Sequence, residues 1–183
     1  MKEIMKLGAI LLVICAVAAS ILGFTNDITK PIIDKQMVMA SNEARQAILT
    51  SAEKFEKVEG DFGPQYLEVY KGLKGSEVVG YTIKTAPKGY AGAVEVITGI
   101  DVDGKIVGVG IGEQKETPGL GTKAKDAAFN GQYKDKKVDS INVIKSGTPK
   151  DNEIVAIAGA TITSKGVTQG VNDSIKLFNE KLK

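Results

Sequence analysis

The first apolar run in the chain is continuous. From Leu7 to Phe24 the sequence carries no charge and is mainly apolar, long enough to cross a hydrocarbon core as one helix. Beyond it the pattern turns loosely helical: Ile33, Met37, Ala40, Ala44, Ala47, Ile48 and Phe55 recur behind Pro31, which suits the first turn of a helix reaching about Lys57. Gly60-Asp61-Phe62-Gly63-Pro64 then ends that pattern with turn formers. The middle of the chain is strand-like. Tyr66 to Tyr70, Val78 to Thr85, Ala93 to Val102 and Lys105 to Gly112 are rich in Val, Ile and Thr, and Asp103-Gly104 suits a tight hairpin turn. Thr122 to Phe129 suits a short helix, and Asn130 to Lys137 reads as an exposed polar loop. A further strand is expected at Val138, Ile141, Val143 and Ile144, with a turn at Gly147-Thr148-Pro149. Finally Val167, Val171, Ile175, Phe178 and Leu182 place one apolar face on a C-terminal helix, with Thr163 or Ser164 as its N-cap. The expected architecture is α+β: a single N-terminal transmembrane helix (1–25), a membrane-proximal helical segment (26–60), and a domain (61–183) with an antiparallel sheet flanked by helices.

Composition narrows the chemistry. The 183 residues, 43% of them hydrophobic, suffice for one modest domain. With 24 basic and 22 acidic residues, 5% aromatics and no Trp, there is no basic or stacking stripe for nucleic acid. The absence of His excludes Ser-His-Asp and Cys-His arrangements within the chain. Cys15, the single cysteine, lies in the apolar run, so the folded part has no disulfide and no thiolate set for zinc or a complete iron–sulfur cluster. No catalytic residue or metal ligand is assigned. A cofactor must carry the chemistry, and the protein must hold, orient and tune it. The glycines at 89, 92, 99, 108, 110 and 112 mark bulges or close approach of a ligand to the backbone. Lys2 and Lys6 precede the apolar run and Asn26-Asp27 follows it, which places the N-terminus in the cytoplasm and the domain outside. Ala16-Val17-Ala18 fits a signal-peptide cleavage site as well. The length of the run, beyond the about 7–15 residues of a signal peptide, favours a retained anchor.

Two loops stand out as candidate chemistry. Ile157 to Ser164 is a small-residue turn that offers the Thr161 hydroxyl just before the C-terminal helix. A helix N-terminus presents unpaired N–H groups and the positive end of the macrodipole, which suits a phosphate held at or bonded to that hydroxyl. An ordinary capped helix is the competing reading. In the second loop, Glu116-Thr117-Pro118-Gly119-Leu120-Gly121, Pro118 fixes φ while Gly119 and Gly121 permit unusual backbone shapes. Its competing reading is a plain strand-to-helix turn.

Taken together, the loops carry a family resemblance. Gly159-Ala160-Thr161 followed by Ile162-Thr163-Ser164 resembles the flavinylation motif of the FMN-binding domain found in the G subunit of Rnf complexes and in NqrC, and the Glu116 to Gly121 loop resembles the second motif of that family. The resemblance implies FMN bound covalently through a phosphoester at Thr161. Ala158, Gly159, Ala160 and Thr163 would surround it, and Glu116, Thr117, Pro118, Gly119, Leu120 and Gly121 would form the flavin pocket, with Leu120 as apolar and Thr117 as polar contact for the ring. It further implies an electron-transfer subunit of a membrane-bound, ion-translocating ferredoxin:NAD oxidoreductase. The domain would lie outside the cell membrane, with the other subunits of an Rnf-type complex as partners and a flavin transferase for maturation. An NqrC-like subunit of an NADH:quinone oxidoreductase, a tethered FMN module of another extracellular electron-transfer chain, and a flavin-free sensor or interaction domain are the alternatives. The chain departs from the family pattern in three places. Val155 and Ala158 stand where many members have an acidic residue and Ser or Thr, and Gln114 stands where relatives often have His.

Overall fold

The computed structural model describes residues 2–183; the side chains of Glu3, Asp34, Lys35, Met37, Val38 and Ala40 lie outside the description, and with them Met37 and Ala40 of the expected helical pattern. Two compact units are present, Met1–Asn42 and Glu43–Lys183. The first is the greater part of helix α1 (Lys2–Ile48). Its stretch Ile4–Ile33 is long and apolar enough to cross a bilayer, and its apolar side chains are exposed, as lipid contact requires. Pro31 does not open a helix. It lies inside α1, which runs on past it to Ile48. The helix also stops at Ile48, short of Lys57, and Lys54–Lys57 instead forms an edge strand, β1, paired with β2 (Tyr66–Lys74). Its charged residues suit an edge.

The second unit is built on one antiparallel meander, β1-β2-β3-β4-β5, where β3 is Glu77–Thr85, β4 Val94–Asp101 and β5 Ile106–Gln114. The β4–β5 hairpin turns at Asp103-Gly104 as expected. Asp101 Oδ1 accepts from the N–H groups of Asp103 and Lys105 at 3.0 and 2.9 Å, and Gly104 has φ +83°.

Helix α3 (Thr161–Leu177), extended by a wider turn at Phe178–Leu182, covers one face of the sheet. Val167, Val171, Ile175 and Phe178 are buried against Ile83, Val96, Ile100 and Val109, each side chain contributing about 1.5–3 kcal/mol. The expected exposed loop at 130–137 is different. After the short helix α2 (Ala127–Asn130) the chain makes a tight turn at Gly131–Tyr133, and Tyr133 is fully buried, its hydroxyl 2.8 Å from that of Thr168 on α3. One aromatic in a polar segment had enough apolar area to pull the segment inward. Beside it β6 (Asn142–Ile144) and β7 (Glu153–Val155) form a small parallel pair.

The opposite face of the sheet is covered by the chain from Arg45 to Ala52. A Cβ on Gly72, Gly99 or Gly110 would overlap Leu49 or Ile48, and Gly80 and Gly108 lie against the same two side chains. The close approach that these strand glycines permit is therefore made by the chain itself. Gly112 gives room to the Glu95 carboxylate in the same way. Arg45, buried, pairs with Glu68 and lies 3.8 Å over the Tyr70 ring, which fastens the segment at one end.

Candidate functional site

Three segments converge at the N-terminal end of α3. Thr161 is its first residue and is half-buried; Gly159 turns the chain into it with φ +77°, a conformation that favours glycine. The N-cap position is Ala160, which offers no side-chain hydrogen bond. Thr163 and Ser164, the expected caps, lie inside the first turn with both hydroxyls engaged. Ser164 Oγ accepts from the Ile157 N–H at 2.9 Å and donates to the Ala160 carbonyl at 3.0 Å, which closes the small-residue turn from below. Thr163 Oγ1 donates to Glu116 Oε2 at 2.5 Å. The first-turn N–H groups of α3 are thus left without a side-chain cap.

Glu116 ties the site together. Only 5% exposed, its Oε1 accepts from the N–H groups of Tyr90 and Ala91, both at 2.9 Å, while its own N–H donates to Gln114 Oε1 at 2.6 Å. Gly89 and Gly121 make room for it: a Cβ on either would lie 2.5 Å from a carboxylate oxygen. Among the described residues no cation pairs with it. Burying a carboxylate costs several kcal/mol. Three hydrogen bonds to a charged group, about 1.5–3 kcal/mol each, and the nearby N-terminus of α3, about 0.3–2 kcal/mol, offset that cost. Gly166 lets the Lys88 carbonyl rest on α3, since a Cβ there would come within 2.6 Å of it.

The result is a cavity of about 490 Å³, within the usual size range of small-ligand sites. Thr161, Gly159, Ala160, Thr163, Glu116, Thr117, Leu120 and Gly121 of the expected site line it. Pro118, Gly119 and Ala158 do not; all three are exposed, and Pro118 and Gly119 shape the loop behind Leu120, with the Gly119 N–H donating to Thr122 Oγ1 at 2.9 Å. Tyr90 and Ile162 line it too and escaped the sequence reading. A signal existed for each: Tyr90 is an aromatic between Gly89 and Gly92, and Ile162 falls outside the apolar register of α3. With Leu120 they form an exposed apolar rim, at 68, 55 and 42% exposure for Tyr90, Ile162 and Leu120. No Lys or Arg lines the cavity among the described residues, so an anion there would rest on the helix N-terminus.

A family model of the FMN-binding domain matches residues 89–176. Over 97% of this chain and 92% of the other, the sequence is 46% identical to the G subunit of the Na(+)-translocating ferredoxin:NAD(+) oxidoreductase complex of Acetobacterium woodii. The chain belongs to the G-subunit family of ion-translocating oxidoreductases. The G subunit of the proton-translocating ferredoxin:NAD(+) oxidoreductase complex of Clostridium ljungdahlii is 36% identical over 91% of this chain and 86% of its own. The G subunit of the ion-translocating oxidoreductase complex of Methanosarcina acetivorans is 33% identical over 95 and 94%. Among solved structures, the C subunit of the Na(+)-translocating NADH-quinone reductase of Parabacteroides distasonis is similar at a TM-score of 0.61 and 25% identity, over 81% of this chain and 94% of that one. NqrC of Shewanella oneidensis, at a TM-score of 0.51 and 20% identity over 72% of this chain and 67% of that one, supports the fold alone. Every residue that lines the cavity of this G-subunit homologue falls within the segment matched by the FMN-binding domain. The donor set fits that cofactor: an uncapped helix start for a phosphate, an apolar rim for a flat ring, and glycine and alanine where the two must pass close to the backbone.

Proposed function

We propose that this chain is the electron-transfer subunit of a membrane-bound, ion-translocating ferredoxin:NAD oxidoreductase and holds FMN through a phosphoester to the Thr161 hydroxyl. One observation carries the reading: Thr161, at the uncapped start of α3, shares a cavity wall with the Leu120 and Tyr90 side chains that suit an isoalloxazine ring. FMN, when bound, supplies reversible uptake of electrons. The residues of the chain do the rest. Thr161 is the attachment point and not an acid or base, the first-turn N–H groups of α3 hold the phosphate, and Leu120, Tyr90 and Ile162 shield the ring from water while Thr117 gives it a polar contact. A covalent bond keeps the cofactor with the protein outside the cytoplasm, where free FMN is scarce. The single N-terminal span anchors the chain in the cell membrane; Lys2 and Lys6 ahead of it support the extracytoplasmic side for the domain. In this reading residues 1–25 are the anchor, 26–60 the membrane-proximal segment and 61–183 the flavin-bearing part. The other subunits of the complex are the partners, and a flavin transferase installs the cofactor. Nearly full-length similarity to the G subunits of ferredoxin:NAD complexes favours that assembly over an NADH:quinone one.

The test is intact and peptide mass spectrometry on chain isolated from its native membrane, beside a Thr161→Val variant. An adduct of the mass of an FMN phosphoester on the Thr161 peptide, absent from the variant, is the expected result. An unmodified Thr161 peptide in native material would overturn the covalent link.

A further inference from the structure

The Glu116 side chain does more than a clasp requires. Its three partners are two backbone N–H groups, which need an acceptor, and the Thr163 hydroxyl, which can donate or accept. A glutamine would satisfy all three: its carbonyl oxygen would accept from Tyr90 and Ala91, and its amide would donate to Thr163. A neutral clasp of the same shape was therefore open to this site without the cost of burying a charge. The chain instead keeps a carboxylate, 5% exposed, without a cation among the described residues, and it clears space for it with Gly89 and Gly121. Glu116 is one of the residues that line the cavity, between the Thr117 to Leu120 wall and the start of α3.

We propose that Glu116 sets the reduction potential of the flavin through its fixed charge, and is a positioning and tuning residue in this pocket. This rests on the reading that FMN occupies the cavity. A carboxylate that is itself shielded from water beside the pocket opposes the arrival of negative charge, and electron uptake by the ring is such an arrival, so the charge holds the potential low. The same oxygens fix Tyr90 and Thr163, which keeps the distance from charge to ring constant. An uncharged residue of equal shape leaves the geometry and removes the field.

Spectroelectrochemical titration of the flavin in full-length chain, in detergent, separates the two. Mass spectrometry first establishes that each sample carries the adduct; unaltered chain without flavin defeats the functional reading, not the charge assignment. In loaded Glu116→Gln the midpoint potential is expected to rise while the flavin absorption spectrum and the melting temperature stay near those of the unaltered chain. A loaded Glu116→Gln with the original potential overturns the proposal. So does a folded Glu116→Gln that takes up no flavin, because the charge would then serve loading and not tuning. Thr163→Val keeps the carboxylate and drops one hydrogen bond, and its potential is expected to stay at or below the original. A rise there would mean that packing, not charge, sets the potential, and would overturn the proposal even where Glu116→Gln fails to fold.

Discussion

The two faces of the five-stranded sheet are packed by opposite means. On one, the strands send out Ile83, Val96, Ile100 and Val109, and α3 answers with Val167, Val171, Ile175 and Phe178. On the other, the strands withdraw to Gly72, Gly80, Gly99, Gly108 and Gly110, and Ile48 and Leu49 descend onto the bare backbone. Both arrangements reach close packing, but they fail differently. A face made of side chains is weakened by removing atoms, and a face made of glycine by adding them.

The largest effect should come from the first face. Phe178, buried and edge-on to Tyr81 at 6.0 Å, should cost about 3–5 kcal/mol when changed to Ala, read as a lower denaturant midpoint of the full chain in detergent. A loss below about one kcal/mol would show that the turn following α3 adds little to the support of the sheet. On the glycine face, Gly99→Ala should cost about 1–3 kcal/mol, although its backbone conformation admits alanine and no left-handed φ is involved. Adding Ile48→Ala to that variant should recover part of the loss, because the new methyl then has space. Strict additivity of the two changes would break the comparison.

A smaller effect separates burial from hydrogen bonding on the α3 side. Tyr133→Phe removes the contact with Thr168 and should cost about 1 kcal/mol at neutral pH. Burial pushes the Tyr133 phenol well above its ordinary value of 10.0. The unfolded chain therefore loses this proton first, so the contribution is complete below about pH 10 and falls away as pH rises through and beyond it. Denaturant midpoints measured at about pH 8 and about pH 11 should thus differ less for Tyr133→Phe than for the unaltered chain. An equal difference would mean that Tyr133 ionises as readily folded as unfolded.

The two faces also differed in how readable they were. The apolar spacing of α3 and the alternation of β3 to β5 announce a side-chain face directly, because period and burial are properties of the segment itself. A glycine in a strand says only that something comes close. Here Ile48 and Leu49, many residues away, are what comes close, and the strand pattern held no trace of them. Tyr133 was missed for a related reason: one buried residue has no period. The Lys54–Lys57 strand was set by pairing with β2, against local preference, and the local pattern around Pro31 held no sign that the helix runs on through it. At the site, the two motif loops were legible as residues. Their connection through Glu116, with the Tyr90 and Ala91 N–H groups on one oxygen and the Thr163 hydroxyl on the other, exists only in three dimensions.

Thr161 stands on the first turn of α3, and α3 is buried on the sheet along most of its length. A group bonded there sits in a socket; it does not ride on a swinging arm. Within the domain the point of attachment is fixed, so the reach of such a group is set by the length of its own tether, and a donor or acceptor meets it near the opening bounded by Tyr90, Leu120 and Ile162. Delivery over any greater distance requires the whole domain to move.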